Sequence, residues 1–265
     1  MLAAERKRCI QQIVLEKKSA TVNELAERFD VTHETIRRDL KALESDGVLV
    51  RTYGGAFVQS GVESLVTAEV RKNAYRTEKE LIASRCHKLV SNGDAIFLDN
   101  STTSYYIAKR IADMELTVVT NNLMVINLLA KSPSVRLVSV GGEFSITEQS
   151  FSGIIALKTL REYYVDKAFI SCRSLSIENG ITESTDDWAL IRQLMIERSD
   201  LHYLIADHTK FDKTSFVRIS NIDAVTAIIT DGRLSDKWHD AVADTSCRII
   251  DSNETLDRYL RSAIL

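Results

Sequence analysis

Residues 32–41 combine basic, hydroxyl and apolar side chains at helical spacing. Ile36, Leu40 and Leu43 share one face of a predicted helix, so the side chains between them face outward. Outward arginine and lysine side chains can read guanine edges or neutralise phosphates, and hydroxyls at a helix start commonly meet phosphate. The pattern predicts a helix that contacts DNA through Thr32, His33, Glu34, Thr35, Arg37, Arg38 and Lys41.

Polar and glycine residues also mark the ends of short apolar runs further along the chain. Ligands of open α/β sheets bind at the carboxyl ends of strands, so these positions are candidate ligand contacts. Asp99 suits sugar hydroxyls, Gly141-Gly142 permits close approach to the backbone, and Lys210 supplies a positive charge. The run 100–104 (Asn-Ser-Thr-Thr-Ser), which precedes a predicted helix, offers hydroxyls and free backbone amides to a phosphate.

Each of these features also has a purely structural interpretation. A Ser/Thr run before a helix often serves only as an N-cap. Lys210 can equally be an exposed loop lysine, and Asp207 or Asp231 can simply cap the element that follows. A small three-helix domain can also carry exposed arginines for protein contacts. The residues by themselves leave these alternatives open.

The elements that must position the first group form a compact series. The spacing predicts helices over 3–17, 22–29 and 33–45, the second opened by the capping box Thr21 to Glu24 and the third capped by Thr32 and ended by Gly47. Residues 48–56 read as two short strands around a turn. Helix, turn, helix and β-wing is the winged helix-turn-helix plan, in which Arg51 and Tyr53 of the wing are expected to contact the DNA backbone.

The second group requires a different architecture. After a polar connector, 58–76, and a helix over 77–91, apolar runs alternate with amphipathic helices, which indicates a parallel sheet covered on both faces. The predicted strands are 95–98, 116–119, 135–140, 168–170, 203–206, 224–229 and 248–250. The predicted domains are an all-α winged helix-turn-helix over 1–57, a linker over 58–76, and an α/β sensing domain with a mainly parallel sheet over 77–265.

Composition narrows the class of protein. The 265 residues are 45% hydrophobic with a net charge of −3, so any basic surface for nucleic acid must be local. Four scattered cysteines and five histidines show no metal-ligand spacing, so we expect neither a disulfide framework nor a metal site. The first residues lack the apolar run of a signal peptide and no run is long enough to span a membrane, so a cytoplasmic location is expected.

Residues 22–56 resemble the DeoR family of bacterial sugar-metabolism regulators. The specific part is Thr35-Ile-Arg-Arg-Asp-Leu40, followed by Leu43-Glu44, Gly47, Arg51 and Gly54-Gly55-Ala56. The resemblance continues through the rest of the chain, at Glu78-Lys79, Leu98-Asp99, Thr102-Thr103, Val119-Thr120-Asn121, Gly141-Gly142, Gly153, Asp207, Lys210-Phe211 and Ile229-Thr230-Asp231.

The resemblance implies a fold and a ligand for the second domain. The DeoR effector domain is similar in fold to ribose-5-phosphate isomerase and to CoA-transferring enzymes, and its implied effector is a phosphorylated sugar or polyol. Carried over by position, the pocket residues would be Asp99, Ser101, Thr102, Thr103, Asn121, Gly141, Gly142, Gly153 and Lys210. The chain departs from the family at Ser101, which is usually Gly, at Trp188, often Glu, at Arg192, often Lys, and over Ser171–Ser174, which is usually richer in glycine.

Two functions from different classes are compatible with this pattern. The first is a repressor of a carbohydrate catabolic operon that binds double-stranded operator DNA as a homo-oligomer, dimer or tetramer, because symmetric half-sites require two readers. The second is a sugar-phosphate isomerase with a DNA-binding appendage. An isomerase needs a placed general base, and no acid/base pair is marked here, so we predict no catalytic residue and no cofactor.

Overall fold

The structure, a computed structural model, describes residues 3–17, 19–45, 49–52, 54–57 and 68–263. Its contacts divide the chain into two units. The first comprises residues 1–76 together with Ile146–Glu148, and the second comprises residues 77–145 and 149–265. Each unit has an apolar core of its own.

The first unit has the predicted winged helix-turn-helix elements. Its helices are α1 (Ala3–Lys17), α2 (Val22–Phe29) and α3 (His33–Ser45), and its strands are β1 (Ser19–Thr21), β2 (Val50–Thr52) and β3 (Gly55–Phe57). The strands form an antiparallel sheet in the order β1-β3-β2. The two wing strands match the prediction, whereas β1 was not predicted, because three residues with a half-buried, buried, half-buried alternation carry little periodic signal. Gly47, the predicted stop of α3, lies outside the described residues.

The turn between α2 and α3 is built as the sequence indicates. The capping box is present, since Thr21 Oγ1 accepts from the Glu24 amide at 3.1 Å and Glu24 Oε2 accepts from the Thr21 amide at 2.9 Å. Asp30 ends α2 in the left-handed conformation with φ of 49°. Below the turn, a buried ion pair between Arg6 Nε and Asp39 Oδ2, 2.6 Å apart, ties α1 to α3. The orientation of α3 is therefore fixed by polar as well as apolar contacts.

A seven-stranded parallel sheet forms the centre of the second unit, as the alternating pattern predicts. In spatial order its strands are β15 (Arg248–Ile250), β14 (Ala227–Ile229), β12 (Ser199–Ile205), β9 (Val165–Ile170), β4 (Ala95–Leu98), β5 (Leu116–Thr120) and β6 (Val135–Ser139). The chain runs from β4 outward to β6, returns to the other side of β4 at β9, and continues to β15. The strand order therefore reverses between β4 and β9, the place where such sheets bind ligands.

Helices cover both faces of this sheet and separate two apolar cores. One face packs against α8 (Gly153–Arg161), α9 (Asp186–Glu197) and α10 (Asp236–Val242). The other packs against α5 (Arg76–His87), α6 (Thr102–Ile111), α7 (Leu123–Leu129) and α11 (Asn253–Ala263). The helix predicted after the run 100–104 begins within that run, at Thr102, because Ser101 caps it.

Two antiparallel additions and one short helix were not predicted. The hairpin β7 (Glu143–Ser145) and β8 (Ser150–Ser152) lies between β6 and α8. A small sheet has the order β10 (Ser174–Ser176), β11 (Gly180–Glu183), β13 (Val217–Ser220). The helix α4 (Ala68–Asn73) lies in the predicted connector and belongs to the first unit. The run predicted as strand 224–229 becomes strand only at Ala227, because 222–224 form a 3₁₀ turn.

Candidate functional site

The outer face of α3 carries the predicted DNA-reading side chains. Thr32, His33, Glu34, Arg37, Arg38 and Lys41 are exposed and Thr35 is half-buried, while Ile36 and Leu40 are buried against the other helices. Thr32 caps the helix, since its hydroxyl accepts from the Thr35 amide at 3.3 Å. Glu34 lies 3.8 Å from both Arg37 and Arg38, and all three side chains are more than half exposed, so these loose pairs leave the guanidinium groups available to DNA.

The wing is described in part. Arg51 lies in β2, opposite Ala56 of β3, and Tyr53 lies outside the described residues. Their predicted backbone contacts with DNA stay predictions.

Asp99 directly follows β4, at the reversal of strand order, and is completely buried. Its Oδ1 accepts from the Ser101 amide at 2.9 Å and the Ser104 hydroxyl at 2.7 Å. Its Oδ2 accepts from the Ser171 amide at 2.7 Å and Arg192 Nε at 3.0 Å. Burial alone would raise the pKa of Asp99, but the Arg192 charge and these hydrogen bonds outweigh it and hold the pKa below its ordinary value. The carboxylate therefore joins β4, β9 and α9 around the loop 99–104.

The loop 100–104 forms the N-terminus of α6. Ser101 is the N-cap, since its side chain accepts from the Ser104 amide at 3.0 Å, and Thr102 and Thr103 occupy the buried first turn. The N-cap interpretation is thus correct for Ser101, and the same geometry presents the positive end of the α6 dipole at the sheet edge. Asn122 fixes the loop from the other side, because its side-chain amide donates to the carbonyls of Asp99 (3.1 Å) and Ser101 (3.0 Å).

A buried guanidinium organises the same loop. Arg192 of α9 is 4% exposed, and its three nitrogens donate to Asp99 Oδ2 at 3.0 Å, to Asn100 Oδ1 at 2.9 Å and to Glu183 of β11. A lysine, which the family often has at this position, is a single point charge and lacks this planar fork. Trp188, the other departure on α9, is buried in the apolar core.

A second charged group follows β12. Asp207 is buried, caps the 3₁₀ turn 208–210 by accepting from the Thr209 amide at 3.0 Å, and precedes the half-buried Lys210. Burial would raise the pKa of Asp207, but the charges of Lys210 and Lys79 outweigh burial and lower it. Lys79 of α5 is 5% exposed. The sequence alone does not place Lys79 in the site, because a lysine near the start of a helix usually faces solvent.

Cys172 lies among these charges. Burial raises its pKa to about 12 against the influence of Lys210 and Arg192, so the thiol stays protonated and is not a nucleophile. The charges of Lys210, Asp207, Glu183 and Arg192 all act on this one side chain. β12 and β4 both pair with β9 in parallel, so the carboxyl ends that precede Asp207 and Asp99 lie at the same edge of the sheet.

The glycine positions surround the hairpin β7–β8. Gly141 and Gly142 precede it and Gly153 follows it. Gly142 has φ of +112°, and an added Cβ would lie 2.4 Å from the Ser152 carbonyl oxygen, so this position requires glycine. Asn121 contacts the hairpin, with its Nδ2 donating to the Phe151 carbonyl at 3.0 Å. Among the described residues, Asn121 Oδ1 and Ser150 Oγ are buried and have no hydrogen-bond partner.

Two negative observations apply to the described ranges alone. Their helices include none with the length and apolar character that a membrane crossing requires. Their His, Cys, Asp and Glu side chains form no group able to hold a metal ion.

Comparisons with known proteins match both units. The model of the DeoR-like helix-turn-helix domain matches residues 6–61, and that of the DeoR C-terminal sensor domain matches residues 75–232. An uncharacterized HTH-type transcriptional regulator of Bacillus subtilis is 38% identical over 94% of this chain and 96% of its own length. The L-fucose operon activator of Haemophilus influenzae is 33% identical over 87% of this chain and 93% of its own. The lactose phosphotransferase system repressor of Lactococcus lactis is 32% identical over 81% of this chain and 86% of its own length.

Solved structures offer more distant likenesses. Ribose 5-phosphate isomerase A from Neisseria gonorrhoeae is similar to this chain with a TM-score of 0.37 at 14% identity, covering 50% of this chain and 52% of that one. The delta subunit of eIF2B from Chaetomium thermophilum has a TM-score of 0.45 at 12% identity, covering 60% and 57%.

Both matched domains and the full-length relatives give the same result. The N-terminal helix-turn-helix domain and the C-terminal sensor domain are those of a DNA-binding transcriptional regulator, and the chain belongs to the DeoR family.

Proposed function

We propose that the protein is a repressor of a carbohydrate catabolic operon, released from its operator by a phosphorylated sugar or polyol bound in the C-terminal domain. The observation that carries the effector assignment is the capped N-terminus of α6 at the reversal of strand order, held by Asp99 and Arg192. The printed names of relatives, an L-fucose operon activator and a lactose phosphotransferase system repressor, support a carbohydrate operon.

Within this proposal the site residues have different roles. The phosphate lies at the first turn of α6, near Ser101, Thr102 and Thr103, with Lys210 and Lys79 supplying positive charge. The glycines and Asn121 face the rest of the ligand, where backbone can approach it closely. Because the Asp99 carboxylate already accepts four hydrogen bonds, we assign Asp99 to positioning the loop rather than to binding sugar hydroxyls.

The proposed arrangement of the chain is a reader over 1–57, a linker over 58–76 and a sensor over 77–265, acting as a homo-oligomer. The isomerase alternative is not favoured. Proton abstraction requires a base whose pKa lies near the working pH, whereas the pKa values of Asp99 and Asp207, the buried carboxyl groups that follow β4 and β12, are lowered. A sensor needs only differential binding of its ligand by two states, with no catalytic base.

Thermal unfolding of the full chain tests the effector assignment. We expect one member of a panel of aldose, ketose and polyol phosphates to raise Tm, since saturation at a hundred times Kd stabilises by about 2.7 kcal/mol. The unphosphorylated sugars should have no such effect. Lys210→Gln should remove most of the shift, and Lys131→Gln, an exposed lysine beyond α7, should retain it. A panel in which no phosphorylated compound shifts Tm would show that the effector class is wrong.

A further inference from the structure

The hairpin β7–β8 belongs to both units of the molecule. Its strands, Glu143–Ser145 and Ser150–Ser152, lie in the second unit, whereas its turn, Ile146–Glu148, clusters with the first. The chain thus leaves the second unit after Ser145 and re-enters it at Gln149. A covalent path of a few residues joins the candidate effector site to the unit that reads DNA.

The base of this hairpin is bound to the residues that follow β5. The Phe151 amide donates to the Asn121 carbonyl at 2.9 Å, and the side-chain Nδ2 of Asn121 donates to the Phe151 carbonyl at 3.0 Å. The Leu123 amide donates to the Gln149 carbonyl at 2.9 Å. Gly142 closes the base so tightly that a methyl group would not fit. Displacement of the loop 121–123 therefore moves β8 with it.

Two polar atoms at the base of the hairpin have unused hydrogen-bonding capacity. Asn121 Oδ1 and Ser150 Oγ are both buried, and neither has a hydrogen-bond partner among the described residues. A buried polar group without a partner destabilises the state that contains it. A ligand hydroxyl that reached both atoms would remove that penalty, so occupancy of the site would change the free energy of this hairpin conformation.

The turn of the hairpin is bound inside the first unit. The Ala68 amide donates to the Thr147 carbonyl at 2.7 Å, and Arg71 Nη2 lies 2.5 Å from Glu148 Oε2. Both side chains of this ion pair are less than a quarter exposed, so the pair is poorly screened. Both donors belong to α4, which packs against the wing strand β2. The hairpin turn thus contacts the helix that supports the wing.

We propose that the hairpin β7–β8 transmits effector occupancy to the wing, with Glu148 and Arg71 as the positioning residues of this connection. The inference rests on the proposed effector site for the identity of the signal. The ligand shifts the equilibrium only as far as it binds the two hairpin states with different affinity. No contact of the ligand with the DNA-binding unit is required.

Hydrogen exchange of the full chain without ligand tests the mechanical link. Asn121→Ala removes the side-chain bond to Phe151 at the base, and we expect the Ala68 amide at the other end to exchange about tenfold faster. Amides of the central strands β4 and β14 serve as the internal reference for global destabilisation. Glu148→Gln should produce the same local change, and Glu162→Gln, an exposed glutamate after α8, should not. Faster exchange confined to the hairpin base, with Ala68 unchanged, would overturn the proposal.

Operator binding separates this inference from the effector assignment. The DNA is selected by the full chain from a random-sequence pool, and the probe is whichever sugar or polyol phosphate raises Tm. Glu148→Gln should keep the Tm shift. The ratio of DNA affinity without the probe to that with the probe should be at least about tenfold smaller in this variant than in the native chain. Equal control of DNA affinity in this variant and in the native chain contradicts the proposal. If no compound in the panel binds, the effector assignment fails and the exchange experiment still decides the link.

Discussion

At the scale of single residues, Asp99 and Arg192 define the second unit's site. Both are buried charges, and each is compensated by several hydrogen bonds, which is the condition under which a buried ion pair persists. Their partners lie in the loop after β4, in α6, directly after β9 and in β11, so the pair holds together segments that are far apart in the sequence. A ligand bound at the proposed site on α6 would meet donors already held in place, which would reduce the entropy lost on binding.

Removal of the guanidinium should be costly and should depend on pH. We expect Arg192→Met to lower the free energy of unfolding by about 3–5 kcal/mol near neutral pH, because two buried carboxylates lose their counter-charge. In the native chain the lowered pKa of Asp99 stabilises the fold, and this stabilisation is fully present at pH values above the ordinary pKa of 3.8. It is lost as the pH falls through the lowered pKa. In the variant the pKa of Asp99 should lie above its native value, because the largest lowering influence is lost, so protonation at acid pH relieves the penalty and the difference from the native chain narrows.

Urea unfolding of both chains between neutral pH and about pH 4 measures this difference. Arg110→Met, an exposed arginine on α6, is the matched control and should change stability by less than about 0.5 kcal/mol. A deficit in Arg192→Met that stays constant, or grows, as the pH falls would contradict the assigned electrostatic role.

Sequence reasoning found part of this site. Asp99, Ser101 and Asn121 were found because they end strands or begin a helix, and those positions can be read along the chain. Arg192, Asn122 and Ser171 contribute through partners far away in sequence, and Lys79 is distinguished only by its burial. The presence of a charged residue in a helix does not reveal whether the fold buries that residue, as it does Arg192 and Lys79.

At the scale of elements, α3 is the element whose function is clearest from its surface. Its buried stripe and the Arg6–Asp39 ion pair fix its orientation, while the opposite face is basic and exposed. Arg37 and Arg38 are held only loosely by Glu34, at 3.8 Å, so they can rearrange on DNA without breaking a strong contact.

Truncation of these side chains should weaken DNA binding without unfolding the domain. We expect Arg37→Ala or Arg38→Ala to lower affinity for the selected operator by about 1–3 kcal/mol where the contact is bidentate to a base. Fluorescence anisotropy at several salt concentrations is the measurement, and loss of a phosphate contact would also reduce the salt slope by about one. Arg8→Ala, an exposed arginine on α1, is the control. Native affinity in both α3 variants would exclude this helix as the reader.

Elements with regular periodicity were predictable, and the remainder were not. The parallel strands and their helices alternate along the chain in the pattern that parallel sheets require. Residues 143–152 have a mixed polar composition with no sustained alternation, and their pairing is settled by contacts with residues 121–123. The strand β13 is separated from β10 and β11 by α9 and β12, so its antiparallel pairing with β11 is a tertiary property.

At the scale of the whole molecule, positive and negative residues nearly balance, so the net charge is small. A net charge of −3 across 265 residues gives no general attraction to DNA, so binding must depend on the local surface of α3. One such surface reads one half-site. We therefore expect the full chain to act as a homo-oligomer, since symmetric operators require paired readers.

Sedimentation and footprinting test this expectation together. The chain should sediment as a dimer or larger species before DNA is added, and its footprint should cover two half-sites separated by about 10–10.5 base pairs or a multiple of that spacing. A monomer that protects a single half-site at full affinity would contradict the oligomer prediction.

The first unit includes residues from two separate parts of the sequence, and this limits how its DNA-binding domain can be fused to another sensor domain. A chimeric regulator that fuses residues 1–76 to an unrelated sensor would deprive the Ala68 amide and the Arg71 guanidinium of Thr147 and Glu148, their acceptors in this chain. Swapping a sensor by cutting the chain once would thus leave the transplanted reader incomplete by three residues from the middle of the sequence. A working hybrid must receive that turn as well, or a redesigned α4 that no longer needs it.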